Sequence, residues 1–230
     1  SGGNYNVVVG DEAGTGITTG DENTFIGYTA GDATTTATGN TALGFSALTT
    51  NVLGSRSVAI GRAALQVQNP ASAVNMYNVA VGHGAGESVT TGVQNTFIGG
   101  LSGDANTTAA NNTAVGYASL GANTTGTGNV ALGANALDAN TTASQNTAVG
   151  IHSLGANTTG HSNAALGAYA LNVNTTGNYN IGIGRNTMAA NTTGSNNIAV
   201  GSYALDANTT ASNNTALGYD ALTANTTGTG

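Results

Sequence analysis

Three histidines, ten acidic side chains and a recurring Asn-Thr-Thr triplet are the groups in this 230-residue chain with types suited to chemistry. Metal ligation or acid–base catalysis needs such groups to converge with partners. His83, His152 and His161 are scattered along the sequence, and no Ser–His–Asp set assembles around them. They read as surface histidines. Acids gather early, at Asp11, Glu12, Asp21, Glu22 and Asp32. Carboxylate oxygens suit calcium, but the Gly-Gly-x-Gly-x-Asp nonapeptide of calcium-binding β-rolls is missing. A solvated, solubilising surface is the expectation. No catalytic residue, no metal site and no cofactor is expected.

Asn-Thr-Thr creates N-glycosylation sequons at Asn106, Asn123, Asn140, Asn157, Asn174, Asn191, Asn208 and Asn225, and Asn111 and Asn213 add two more. In an exported protein of a glycosylating organism these are candidate sugar sites. The triplet is locked to a repeat register, however, and a turn copied by duplication explains it without sugar. The threonine columns also raise ice binding. A Thr-x-Thr array places both hydroxyls on one strand face, whereas adjacent threonines on an extended strand point to opposite faces. That weighs against an ice-binding surface.

Composition narrows the classes further. Lys+Arg total 3 against 10 Asp+Glu, giving a formal net charge of −7. Charged residues are 6% of the chain, against roughly 25% in an ordinary domain. So few titratable groups argue against an enzyme. Arg56, Arg62 and Arg185 cannot build a basic patch for nucleic acid. With no Cys, disulfide scaffolds and thiolate metal sites are excluded. No apolar run approaches the ~20 residues of a membrane-spanning helix, and no signal peptide is visible. Ser1 in place of Met points to a processed or excised piece.

The elements that must position these groups are repeats. The motif Asn-x-Ala-aliphatic-Gly begins at Asn6, Asn23, Asn40, Ser57, Asn78, Asn95, Asn112, Asn129, Asn146, Asn163, Asn180, Asn197 and Asn214. Every step is 17 residues except that from Ser57 to Asn78, which is 21 and contains the only proline, Pro70. Residues 1–230 therefore read as one repeat domain of thirteen coils with a four-residue insertion near 68–76. Ser1 to Tyr5 match the last five positions of a preceding repeat, and Gly230 closes the thirteenth. Polar-faced terminal repeats, the usual caps of a solenoid, are missing. The expectation is a segment of a longer fibre, or a subunit that stacks end to end.

Positions are counted from the Asn of each repeat. Position 4 is always Val, Ile or Leu. Position 5 is always glycine: Gly10, Gly27, Gly44, Gly61, Gly82, Gly99, Gly116, Gly133, Gly150, Gly167, Gly184, Gly201 and Gly218. Position 8 is small, and position 9 is Leu or Met in nine repeats and Gly in four. Two short apolar patches per repeat do not match helical spacing. Short strands joined by tight turns do, with the glycine serving a positive φ or a close backbone approach.

The predicted fold is all-β, a parallel β-solenoid (β-roll) of thirteen 17-residue coils. Strands stacked about 4.8 Å apart would span roughly 60 Å and align like residues in ladders. Asn at position 1 suits an amide ladder, and Asn at position 12 with its two threonines suits a turn. The expected core is positions 4 and 9, with alanine filling positions 3 and 8. Phe25 and Phe97 occupy position 3 only where position 9 is Gly31 or Gly103, which suggests volume compensation. Positions 3 and 4 point to opposite faces of a strand, yet both are apolar. Both faces are therefore expected to be buried, one inside the coil and one against a partner chain, most simply in a trimer. Positions 6 and 7 vary most and carry Tyr28, Phe45, Arg62, Tyr117, Tyr169, Tyr203 and Tyr219. Outward aromatics there would offer surface to a glycan or a partner.

Ser57-Val-Ala-Ile-Gly61 resembles the core motif of the head repeats of YadA-like trimeric autotransporter adhesins. The Asn-Thr-Ala-Val-Gly-Tyr and Asn-Thr-Ala-Leu-Gly versions look like related repeats of phage tail fibres and bacterial surface fibres. The resemblance implies a trimeric left-handed parallel β-roll with aliphatic positions inside and adhesive surfaces outside. The 17-residue repeat is longer than those heads typically use. The function expected is that of a non-enzymatic extracellular fibre segment, on a cell surface or virion, presenting a binding surface. Its expected partners are copies of itself, as a homotrimer or an end-to-end filament, and a glycan or cell-surface receptor. Neither nucleic acid nor membrane insertion is expected. The alternatives are a filament subunit stacking through open solenoid edges and an ice-binding solenoid.

Overall fold

Each repeat makes one three-residue strand, placed between an inward asparagine (Ser57 in the fourth repeat) and the position-5 glycine. The computed structural model describes residues 3–228, so Ser1 and Gly230, on which the expectations about the two ends partly rest, lie outside the described residues. The chain forms two compact units, Ser1–Asn112 and Thr113–Gly230. Both are parallel β-solenoids, and the described residues contain no helix.

The first unit holds β1 (Val7–Val9), β2 (Thr24–Ile26), β3 (Thr41–Leu43), β4 (Gly54–Ser55), β5 (Val58–Ile60), β6 (Val74–Asn75), β7 (Val79–Val81) and β8 (Thr96–Ile98). β4 and β6 pair only with each other, where the insertion enlarges the fourth coil. The other six pair in chain order, all parallel. The second unit holds β9 (Thr113–Val115), β10 (Val130–Leu132), β11 (Thr147–Val149), β12 (Ala164–Leu166), β13 (Ile181–Ile183), β14 (Ile198–Val200) and β15 (Thr215–Leu217), also parallel and in chain order. Register sets like on like: Ala42 faces Ala59, and Ala131 faces Ala148.

The eighth coil shows the interior. Asn129, Ala131, Ala136, Leu137, Asn140 and Ala143, at positions 1, 3, 8, 9, 12 and 15, are buried. Leu132, at position 4, is 46% exposed. This corrects the expected core: the large aliphatic inside is position 9, its companion is the small residue at position 3, and position 4 faces out. The reason is the two-residue alternation of a strand. Asn at position 1 turns inward, which sends positions 2 and 4 outward. Within a single chain only one face of the strand is buried.

Polar groups in so narrow an interior must bond one another. Nδ2 of Asn129 and Nδ2 of Asn140 both donate to the Ala143 carbonyl, at 2.8 and 3.0 Å. Asn140 Nδ2 also donates to Asn123 Oδ1 at 2.9 Å, and Asn157 Nδ2 donates to Asn140 Oδ1 at 3.0 Å. The Asn146 backbone N–H donates to Asn129 Oδ1 at 3.0 Å. In the second unit two amide ladders thus clamp the coils across their middle and bind each to its neighbours.

The irregular fourth coil keeps this clamp with different residues. Ser57 is too short to supply the position-1 amide. Gln68, at position 12, is one methylene longer than Asn and buried. Its Oε1 accepts from Asn78 Nδ2 at 2.9 Å and from Ser57 Oγ at 3.2 Å, and its Nε2 donates to Asn51 Oδ1 at 3.2 Å. The long side chain takes over the bonds of both asparagines. Buried Met76 fills the wider interior beside it.

Candidate interaction surface

Positions 2 and 4 face outward on every strand, and their burial leaves the tips open. In the second unit the column runs through Leu132, Leu166, Ile181, Ile183 and Ile198, each between 38% and 46% exposed. No charged residue lies on β9 to β15. With strands about 4.8 Å apart, seven of them give an uncharged, largely aliphatic strip of roughly 300 Å², interrupted by Thr113, Thr147 and Thr215 at position 2, the size at which a monomer's largest patch is often functional. The sequence pattern held the signal in its inward asparagine, which fixes the phase of the alternation.

Position 6 flanks this face on one side and position 17 on the other. In the first unit the position-6 column is a stack. Tyr28 and Phe45 lie 5.3 Å apart at 26°, and the Arg62 guanidinium sits 5.6 Å from the Phe45 ring. Arg62 then donates to His83 Nε2 at 3.1 Å. On the position-17 side, Arg56 donates to the Tyr77 hydroxyl at 3.0 Å and lies over its ring at 5.8 Å. In the second unit His152 stacks on Tyr169, while Tyr203 meets Tyr219 and His161 meets Tyr179 edge to face. Both faces of Phe45 are occupied by neighbours in its own ladder, one by Tyr28 and one by Arg62. Tyr117 is exposed on the seventh coil.

The histidines therefore sit apart, each against a ring, a guanidinium or a hydroxyl. No group of three residues able to hold a metal ion occurs among the described residues, and no pocket opens among them. No helix among them is long and apolar enough to cross a membrane. Burial pushes the Asp104 and Asp138 carboxyls up from their ordinary value, against opposing backbone hydrogen bonds. The charge of Glu12 is the main cause that raises the Tyr28 phenol, with lost hydration and a hydrogen bond to Glu12 adding to it. Asp21 Oδ1 accepts the Asn4 backbone N–H at 2.6 Å.

The sequon asparagines point into the coil. Asn106, Asn123, Asn140, Asn157, Asn174, Asn191 and Asn208 are fully buried, and a sugar on Nδ2 requires that nitrogen outside. Asn225 is half-buried, and Asn111 and Asn213 are exposed. The adjacent threonines do not alternate across a strand. Position 12 and position 15 both turn inward, so positions 13 and 14 share the outer surface. The position-13 hydroxyl donates to the next coil's carbonyl, as Thr158 does to Thr175 at 3.1 Å. The position-14 threonines, such as Thr142 and Thr159, are exposed. An ice-binding reading is left with one outward hydroxyl per coil.

No protein-family model, no curated protein and no solved structure matches the chain.

Proposed function

We propose that this chain is a non-enzymatic structural segment of an extracellular fibre, an adhesin or tail-fibre shaft. Copies associate through the outer face of their sheets, and the remaining surface is presented to a receptor. One observation carries the reading: the outward face of the sheets, with Val, Ile or Leu at every position 4 and an uncharged residue at every position 2, is left open to solvent. The resemblance of Ser57–Gly61 to adhesin head repeats supports the class of fibre. The interior supports a mechanical role, since within each unit successive coils are bonded to one another by backbone and amide ladders.

The test is self-association of the whole chain by sedimentation across a wide concentration range. Val9→Asp with Leu43→Asp, both at exposed position-4 sites, should weaken it at least tenfold, about 1.4 kcal/mol, while the melting temperature of the dilute chain stays put. A chain that remains monomeric at every concentration would sink the proposal.

A further inference from the structure

Six of the nine charged residues of the first unit, four acids and two arginines, are arranged in opposite blocks beside the same outer face. Asp11 and Glu12 follow β1 on the position-6 side, and Asp21 and Glu22 precede β2 on the position-17 side. Arg56 and Arg62 bracket β5, one on each side. Both arginines are exposed and held by aromatic rings: Arg56 on Tyr77, Arg62 on Phe45. Among the described residues neither guanidinium meets a carboxylate; their partners are a phenol and an imidazole. Stacking has fixed the two cations while leaving their counter-charges unsupplied.

We infer that a second copy of this chain supplies them, packed antiparallel, face to face, over β1, β2, β3 and β5. This rests on the self-association proposed above and adds its direction and register. A two-fold axis across the strand stack matches position-6 flank to position-6 flank. With β1 opposite β5 and β2 opposite β3, Arg62 of each copy reaches Asp11 and Glu12 of the other. Arg56 comes within about one strand spacing, 4.8 Å, of Glu22. Val7 and Val9 cover Val58 and Ile60, and Thr24 and Ile26 cover Thr41 and Leu43. A parallel, in-register arrangement does the reverse. It sets position 6 of one copy beside position 17 of the next, so that Arg62 meets Arg56 at every contact. Each copy carries a net charge of −7, so an association lacking these matched pairs works against long-range repulsion. About sixteen outward side chains a side is at the small end of specific interfaces, which implies dissociation constants near the micromolar range.

Charge reversal tests the arrangement on the full chain. Arg62→Glu alone, and Asp11→Arg with Glu12→Arg alone, should each self-associate about tenfold more weakly, because each two-fold contact gains two like-charged sites. An equal mixture should regain the original affinity, because both contacts are then opposite in charge. The chain has no Cys, so disulfide capture reads the register directly. Chains bearing Val7→Cys should cross-link to chains bearing Val58→Cys. If Val58→Cys instead captures Ile60→Cys, the copies are parallel and this inference is overturned, while the fibre proposal stands. If the reversed variants fold, by circular dichroism, but the mixture regains nothing, the inference is likewise overturned. A wild-type chain monomeric throughout overturns both.

Discussion

Glycine at position 5 meets two constraints at once. Its φ lies between +126° and +142° in all thirteen coils. A Cβ on Gly133 would sit 2.7 Å from the carbonyl carbon and oxygen of Gly150 in the next coil. Positions 7, 9 and 17 are different. Asn135, Leu137 and Gln145 take φ of 54°, 53° and 63°, the left-handed well that costs an ordinary residue roughly 1–2 kcal/mol. That cost recurs in each coil and is offset by the ladders. Gly128 occupies position 17 of the preceding coil with φ 66° and nothing within 4 Å of an added Cβ. Gln145→Gly should therefore raise stability by about 0.5–1 kcal/mol, part of the relief being lost to chain entropy. Gly133→Ala should lower it by about 2–4 kcal/mol, since neither backbone nor neighbour can yield. Urea unfolding of the two variants reads both signs. Equal effects would refute the distinction between the two kinds of positive φ.

At the scale of the coil, the exchange between Phe and Gly shows how the interior is filled. An added Cβ on Gly31 would meet the Phe25 ring at 2.6 Å, and one on Gly14, a coil earlier, would meet it at 3.0 Å. Phe97 stands in the same way over its own Gly103 and over Gly86, at 2.8 Å from the latter. Each ring fills the position-9 space of two coils, which accounts for all four glycines at that position. Phe97→Ala alone should cost about 3–5 kcal/mol. Adding Gly86→Leu and Gly103→Leu should bring stability back to within about 1.5 kcal/mol of the original, because the swap restores the ladder used elsewhere. Thermal melts of the single and triple variants decide it; a triple variant no better than the single would mean the rings do more than fill volume. Part of this exchange was legible in the sequence, as were the solenoid, its 17-residue period and the amide ladders. The glycine of the preceding coil was not, because it depends on where the ring leans between layers. The phase of the strand is not legible from residue size, for a physical reason. Position 4 carries larger aliphatics than position 3 and so reads as core by size, whereas beside a position-9 Leu or Met the interior has room only for alanine or glycine at position 3, and it takes Phe25 and Phe97 only where position 9 is glycine. The outer apolar face, on which the functional reading rests, follows from that one inversion.

At the scale of the molecule, a repeat stack is held by nearest neighbours, so its stability is close to a sum over coils and their interfaces. The second unit lends itself to a direct test. Excising residues 129–145 would join Gly128 to Asn146 and lay the seventh coil on the ninth. Ala114 would then face Ala148, Gly116 would face Gly150, Leu120 would face Leu154 and Asn123 would face Asn157. Every inward position meets its own kind, and both asparagine ladders continue. This shortened chain should fold, with one cooperative coil fewer and a urea dependence reduced by about 7%, in proportion to the surface removed. Excising residues 129–136 alone removes fewer atoms but leaves a remnant too short to close a coil. It leaves Asn140 on a remnant that cannot hold it between Asn123 and Asn157, and buried amides without partners cost about 1–3 kcal/mol each. That variant should lose protection from proteolysis around the cut. Were the two deletions equally damaging, stability would depend on the particular residues of the eighth coil rather than on the repeat, and the nearest-neighbour account would fail.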